Sequence, residues 1–418
     1  MPSLDEFLAG ATTAGPGPRR IPGCVLTAYK DGVLHHKSFG TKSLDPKSPH
    51  FGEPLSIDTT MWFASCTKLM TAISVLQCVE KGLLNLDDDI STVLPEWKER
   101  EILLGFDEAT GAPLLKKAEG KLSLKMLLTH SSGLCYAGLV PEFKRYVKYR
   151  TERGWVIEAA ELCPHEPVAL LFEPGTSWKY GIGTDWAGKM VERVTGLRLN
   201  EYMDQHIWQP LGMTSTSFRL PSRPDIRAQQ AELTVRSPAD GSLAPSPAPF
   251  FFPETTQADH GGAGTYSCAR DYIKVLIACA TSDPNLLTPE SYDALCAPGL
   301  SDAAAATFQE FQAARFAADD AVAVELTGAA AAVPAPSRGS VSWAPGGMVV
   351  TEDVPGGRRA GSVSWGGLPN LSWTVDRKSR TALLYASQLL PPGDTFTRLM
   401  VRNFEGEVYS GKFFEGGV

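Results

Sequence analysis

Strand-like sequence stands at both ends of this chain and helical sequence fills the middle, so a sheet of any size has to be assembled from the two termini. At the start, I-P-G-C-V-L-T-A-Y-K-D-G-V-L-H-H-K-S-F-G is β-rich on both sides of Asp31-Gly32, a pair that favours a tight hairpin turn. Near the end come R-A-G-S-V-S-W, L-S-W-T-V-D and T-A-L-L-Y-A-S, separated by the turn-like stretches G-G-L-P-N and R-K-S-R. A terminal helix is expected around 394–404. Between about Leu86 and Leu220 the pattern is helical, as in K-L-S-L-K-M-L-L-T-H and D-W-A-G-K-M-V-E-R-V-T-G-L. The expected fold is therefore α+β: one antiparallel sheet from both termini, flanked by helices, with a mostly helical inserted domain. Residues 1–85 and 338–418 would form the discontinuous sheet domain and 86–337 the helical one. Two stretches of the latter stand apart: a proline-rich loop at 237–253, and an alanine-rich segment at 303–336 that is either a tolerated insertion or a lid. No internal repeat is present.

A chain of 418 residues with 43% hydrophobic and 21% charged residues can bury a full core. Its formal net charge of -8 argues against nucleic acid or an anionic membrane surface as partner. The eight cysteines are singletons with no C-x-x-C pair, which speaks against a structural zinc or a thioredoxin-like site and for reduced thiols. The acidic N-terminus lacks the features of a secretory signal. No apolar run approaches the roughly 20 residues of a membrane span. A cytoplasmic protein is the expectation.

The stretch M-W-F-A-S-C-T-K-L places Ser65 three residues before Lys68, at the start of a helix expected to run to Lys81 and stop at Gly82. Residues i and i+3 share a helix face, so both side chains can point into one cleft. At a helix start backbone N–H groups are unpaired and the dipole is positive, which suits a developing oxyanion. Lys68 is the only lysine with a serine at that spacing, but a match is expected about once by chance, and a helix-capping serine beside a solvated lysine would explain it equally. Other routes to an activated serine are missing. There is no G-x-S-x-G and no H-E-x-x-H. His130 in L-L-T-H-S-S-G-L and His260 in D-H-G-G-A-G read as structural histidines.

With Ser65-x-x-Lys68 framed by terminal strands, the chain resembles the serine β-lactamase and penicillin-binding-protein superfamily. L-L-T-H-S-S-G-L, E-P-G-T-S-W-K-Y-G, P-L-G-M-T-S-T-S-F and G-G-A-G-T-Y-S-C-A-R-D-Y follow in the matching order. W-K-Y-G-I-G-T-D-W-A-G-K-M-V-E-R-V-T-G-L and S-W-G-G-L-P-N narrow the likeness to family VIII carboxylesterases and, more closely, to fungal acyltransferases that attach the acyl side chain of statin polyketides. The resemblance implies a β-lactamase-like fold, Ser65 as nucleophile, Lys68 as its partner and Tyr180 as general base. It also implies an oxyanion hole made by the N–H groups of Ser65 and Leu368.

Two departures from the superfamily pattern bear on substrate. Tyr180-Gly181-Ile182 replaces Tyr-x-Asn, and Trp365-Gly366-Gly367 replaces Lys-Thr-Gly. Tryptophan offers apolar surface where a lactamase offers positive charge. The expectation is serine-dependent acyl transfer between small esters or thioesters and an alcohol or water, as acyltransferase or carboxylesterase, with no metal or nucleotide cofactor. The donor is an ester or thioester; a thioester donor would be free or carried on an acyl-carrier protein. Trp365, Gly366, Gly367 and Tyr136 would line the substrate site. Trp178 and Trp186 belong either to that cleft or to the core. The alternatives are a β-lactamase or D-peptidase, and a non-catalytic binding protein of the same fold.

Overall fold

The computed structural model describes residues 3–13, 20–155, 157–158, 163–164, 166–247, 258–313, 332–337 and 339–415. Seven strands form the main sheet: β1 (Gly23–Lys30), β2 (Val33–Gly40), β3 (Val341–Ala344), β4 (Gly347–Val350), β5 (Val363–Gly367), β6 (Leu371–Asp376) and β7 (Thr381–Ala386). Their order is β3-β4-β5-β6-β7-β1-β2, antiparallel throughout. The two termini meet where β1 pairs with β7, with Val25 opposite Ala386 and Leu26 opposite Tyr385. Asp31 and Gly32 both have positive φ, 49° and 94°, the conformation a two-residue hairpin needs at both central positions.

Side-chain alternation gives the sheet two apolar faces. Cys24, Leu26, Ala28, Leu383 and Tyr385 face α1 (Leu4–Thr12) and a C-terminal helix, residues Thr395–Ser410. Phe7 stacks on Phe396 between these two helices at 5.3 Å. The other face presents Val25, Trp373, Val375, Ala382 and Leu384 to the larger core. Among the helices that bury into that core are α2 (Thr67–Glu80), α3 (Gly183–Thr195) and α4 (Ala269–Thr281); the C-terminal helix is labelled α5. Helix α2 is buried from Thr67 to Cys78, as expected of a helix apolar on nearly all sides. It ends at Gly82, whose φ is 70°, and Leu83 N–H closes on the Cys78 carbonyl at 2.9 Å.

Several elements differ from the sequence-based expectation. The helix at Ser65 opens with a 3-10 turn, Ala64–Cys66, before the α-helix begins at Thr67. Strands β3 and β4, on V-S-W-A-P-G-G-M-V-V, were not anticipated; Pro345-Gly346 is the turn between edge strand β3 and its neighbour β4 rather than a loop. Within the expected helical stretch lies a hairpin, Glu101–Phe106 with Pro113–Lys117. Its turn is nucleated by Asp107, which accepts from Thr110 N–H at 2.7 Å. The proline-rich and alanine-rich stretches fall partly outside the described residues; 302–313 is helical and packs Phe308 against Trp178 at 4.8 Å between ring centroids. No described helix is long and apolar enough to cross a membrane.

Candidate active site

Ser65 sits in the 3-10 turn at the head of α2, partly exposed, with buried residues on either side. The turn is reached through Ala64, whose φ is 47°, a conformation that costs a residue with a Cβ about 1–3 kcal/mol and is held by the packing around it. Phe63 N–H donates to Thr265 at 3.0 Å, and Thr67 Oγ1 lies 2.7 Å from both the Ala64 carbonyl and Thr265 Oγ1. Among the described residues Ser65 N–H and Leu368 N–H donate to no backbone carbonyl. Strand β5 passes close beside this turn: a Cβ on Gly367 would lie 2.5 Å from the Phe63 carbonyl oxygen.

Lys68 is one turn further and buried, 7% exposed. Its ammonium donates to Ser65 Oγ at 3.3 Å, to Tyr136 Oη at 2.9 Å and to the Gly262 carbonyl at 2.6 Å. It also lies over two rings, 4.9 Å from the centroid of Tyr180 and 5.3 Å from that of Tyr136, a favourable place for a cation. The two tyrosines are neighbours, 5.5 Å between ring centroids, because Gly181 crosses the Leu134-Cys135 backbone where a Cβ would lie 2.5 Å from Cys135 Cα. Tyr180 Oη accepts a hydrogen bond from Trp365 Nε1 at 2.9 Å. Trp365 in turn packs edge-on against Trp343 at 4.4 Å.

The structure thus brings Ser65, Lys68, Tyr136, Tyr180 and Trp365 together, with Gly366, Gly367 and Leu368 following along β5. It separates the other two tryptophans. Trp178 belongs to an aromatic cluster with Trp343 and Phe308 that Tyr180 and Trp365 abut. Trp186 is a core residue, edge-on to Trp97 at 4.9 Å. His130 is a structural histidine: it is 1% exposed, and its Nδ1 accepts from Gly181 N–H at 3.3 Å. Its ring lies 4.5 Å from that of Tyr180. Burial first, and the Lys68 charge second, hold it well below the usual histidine range and so neutral.

Two features escaped the sequence reading: the direct bond from Lys68 to Tyr136, and the Gly262 carbonyl that caps the ammonium. The glycine run D-H-G-G-A-G carried a signal for the second, since glycines mark close backbone approach. Among the described residues no group of three or more His, Cys, Asp or Glu side chains is placed to hold a metal ion.

An antiparallel sheet built from both termini, with a serine and a buried lysine one helical turn apart at its edge and tyrosines around the lysine, defines a class: the active-site-serine enzymes of acyl transfer. The chain belongs to the beta-lactamase family, whose model matches residues 8–404. It is 35% identical over 398 residues to the monacolin J acid methylbutanoyltransferase of Aspergillus terreus, covering 94% of this chain and 92% of that protein. It is 33% identical to the lovastatin esterase of Penicillium rubens, covering 93% and 94%. The unliganded simvastatin synthase of Aspergillus terreus superposes with a TM-score of 0.85 at 32% identity over the whole of both chains. The chain is an enzyme of the β-lactamase type, of the acyltransferase and esterase kind.

Proposed function

We propose that the enzyme moves a short acyl group from an ester or thioester onto Ser65 and then onto an alcohol of a polyketide-type small molecule. The observation that carries this reading is the buried Lys68 ammonium 3.3 Å from Ser65 Oγ. In the first half-reaction the Ser65 proton passes to Tyr180 Oη as Oγ attacks the acyl carbonyl carbon. The oxygen of the tetrahedral intermediate is held by the N–H groups of Ser65 and Leu368, neither of which is occupied by a backbone carbonyl among the described residues. Collapse breaks the bond to the leaving alcohol or thiol, which takes the proton from Tyr180. In the second half the acceptor hydroxyl gives its proton to Tyr180 and attacks the ester, and Ser65 Oγ recovers the proton. Tyr180 enters each half-reaction as the phenolate, whose negative charge the Lys68 cation and the Trp365 N–H stabilise, and is neutral while it holds the proton.

Substrate class follows from what stands beside the nucleophile. Trp365 and Tyr180, backed by the buried Trp343, present aromatic surface where a lactam-binding enzyme needs a cation, which suits an apolar acyl chain and a hydrocarbon-rich acceptor. Two relatives are named for a methylbutanoyl transfer to monacolin J acid and for lovastatin ester cleavage. The acyl donor is an ester or a thioester, the latter free or on an acyl-carrier protein. A cytoplasmic location fits the free thiols of the seven cysteines whose side chains are described. The test is intact-protein mass spectrometry after brief exposure to p-nitrophenyl butyrate, on wild type and Ser65→Ala, with and without an added alcohol. A butyryl adduct on wild type alone, lost faster to the alcohol than to water, is expected. Absence of both adduct and p-nitrophenol release would overturn the proposal, and loss to water alone would make the enzyme an esterase.

A further inference from the structure

Asp185 is 8% exposed and its carboxylate is aimed at the backbone that holds Lys68. Its Oδ1 accepts from Gly262 N–H at 2.8 Å, and the carbonyl of the same Gly262 accepts from Lys68 Nζ at 2.6 Å. Its Oδ2 is buried without a hydrogen-bond partner among the described residues. A stranded carboxylate oxygen is costly, so the position calls for a reason beyond filling space.

The strap around Gly262 is pressed between two helices. On the α2 side, Thr71 Oγ1 donates to the Gly261 carbonyl at 2.7 Å. On the α3 side, a Cβ on Gly261 would lie 3.0 Å from the Thr184 carbonyl oxygen, and one on Gly262 would lie 2.5 Å from Asp185 Oδ2. The strap is therefore closely packed at both glycines, and the residue whose N–H faces Asp185 is the residue whose C=O faces the lysine. We propose that Asp185 is a positioning residue for Lys68, acting through Gly262: by fixing the N–H it fixes the carbonyl, and so the direction in which the ammonium meets Ser65 and Tyr136. The step is a hydrogen-bond relay through one residue of backbone, with no proton moved.

This inference rests on Lys68 serving the Ser65 chemistry proposed above. The experiment compares Asp185→Asn, which keeps an acceptor oxygen for Gly262 N–H, with Asp185→Ala, which removes it. Steady-state p-nitrophenyl butyrate turnover and the rate of Ser65 adduct formation are followed alongside Ser65→Ala. Displacement of the lysine is expected to lower kcat of Asp185→Ala by about tenfold to a hundredfold, with KM within about twofold of wild type because no substrate contact is lost. Asp185→Asn is expected to recover most of the loss. An alanine variant with wild-type kcat, or an asparagine variant as slow as a folded alanine variant, would overturn the relay. Hydrogen exchange at the Gly262 amide reads the same bond without relying on the alanine variant: protection in wild type is expected, and exchange at the rate of a solvent-exposed loop overturns the proposal. If wild type and Ser65→Ala acylate alike, it is the Ser65 mechanism that has failed, and the Gly262 exchange still reports on the relay separately.

Discussion

Two phenols surround one buried cation, and at the scale of single residues that is what separates this site from a serine that merely caps a helix. Lys68 donates to Tyr136, whereas Tyr180 lies under the ammonium by its ring and takes its hydrogen bond from Trp365. If Tyr180 is the base, Tyr180→Phe removes the proton acceptor and lowers kcat by about a hundredfold to ten-thousandfold. Tyr136→Phe removes one charge-assisted hydrogen bond, worth roughly 1.5–3 kcal/mol, so its loss is expected at about tenfold to a hundredfold. Single-turnover acylation of both variants checks the order; a larger loss in Tyr136→Phe would move the role of base to Tyr136. The Ser-x-x-Lys spacing was legible in the sequence because it is a short motif, whereas Tyr180 was reached only through the family resemblance. Asp185 and Gly262 were not, since their link to Lys68 joins chain segments separated by more than a hundred residues.

At the scale of elements, activity depends on how β5 lies against the turn that bears Ser65. Gly366 and Gly367 permit that approach: a Cβ on Gly366 would collide with the Leu371 carbonyl oxygen, and one on Gly367 would lie 2.5 Å from that of Phe63. Gly367→Ala must push strand and turn apart, displacing Leu368 N–H from the proposed oxyanion position. A fall in kcat of about a hundredfold is expected, out of proportion to the change in melting temperature; unchanged turnover would exclude Leu368 as a donor. The hairpin at Asp31-Gly32 and the strands 371–376 and 381–386 could be read from alternation and turn residues alone. The hairpin at 101–117 could not: its apolar residues suit either a helix or a strand, and the choice falls to pairing, including the bridge of Ile102 to Leu170.

On the scale of the whole molecule, the C-terminal helix holds the sheet to the site. Glu405 of α5, 2% exposed, pairs with Arg358 on the connection between β4 and β5, and Arg358 also reaches Ser364 Oγ at 2.8 Å. Glu405→Ala leaves the guanidinium buried and unpaired, which is expected to cost about 3–5 kcal/mol. Urea unfolding checks this, and a change under about 1 kcal/mol would mean the pair behaves as a surface ion pair. By itself the sequence determined the helix bearing Lys68, the N-terminal hairpin, the three strands between 363 and 386 and the family, because periodicity, turn chemistry and short motifs are local properties. Only the tertiary structure decided that Trp365 holds Tyr180, that Tyr136 and Gly262 share the ammonium, and that Trp186 is core. Those are contacts between distant segments, and their geometry is set by how helices and sheet pack, which no local pattern encodes.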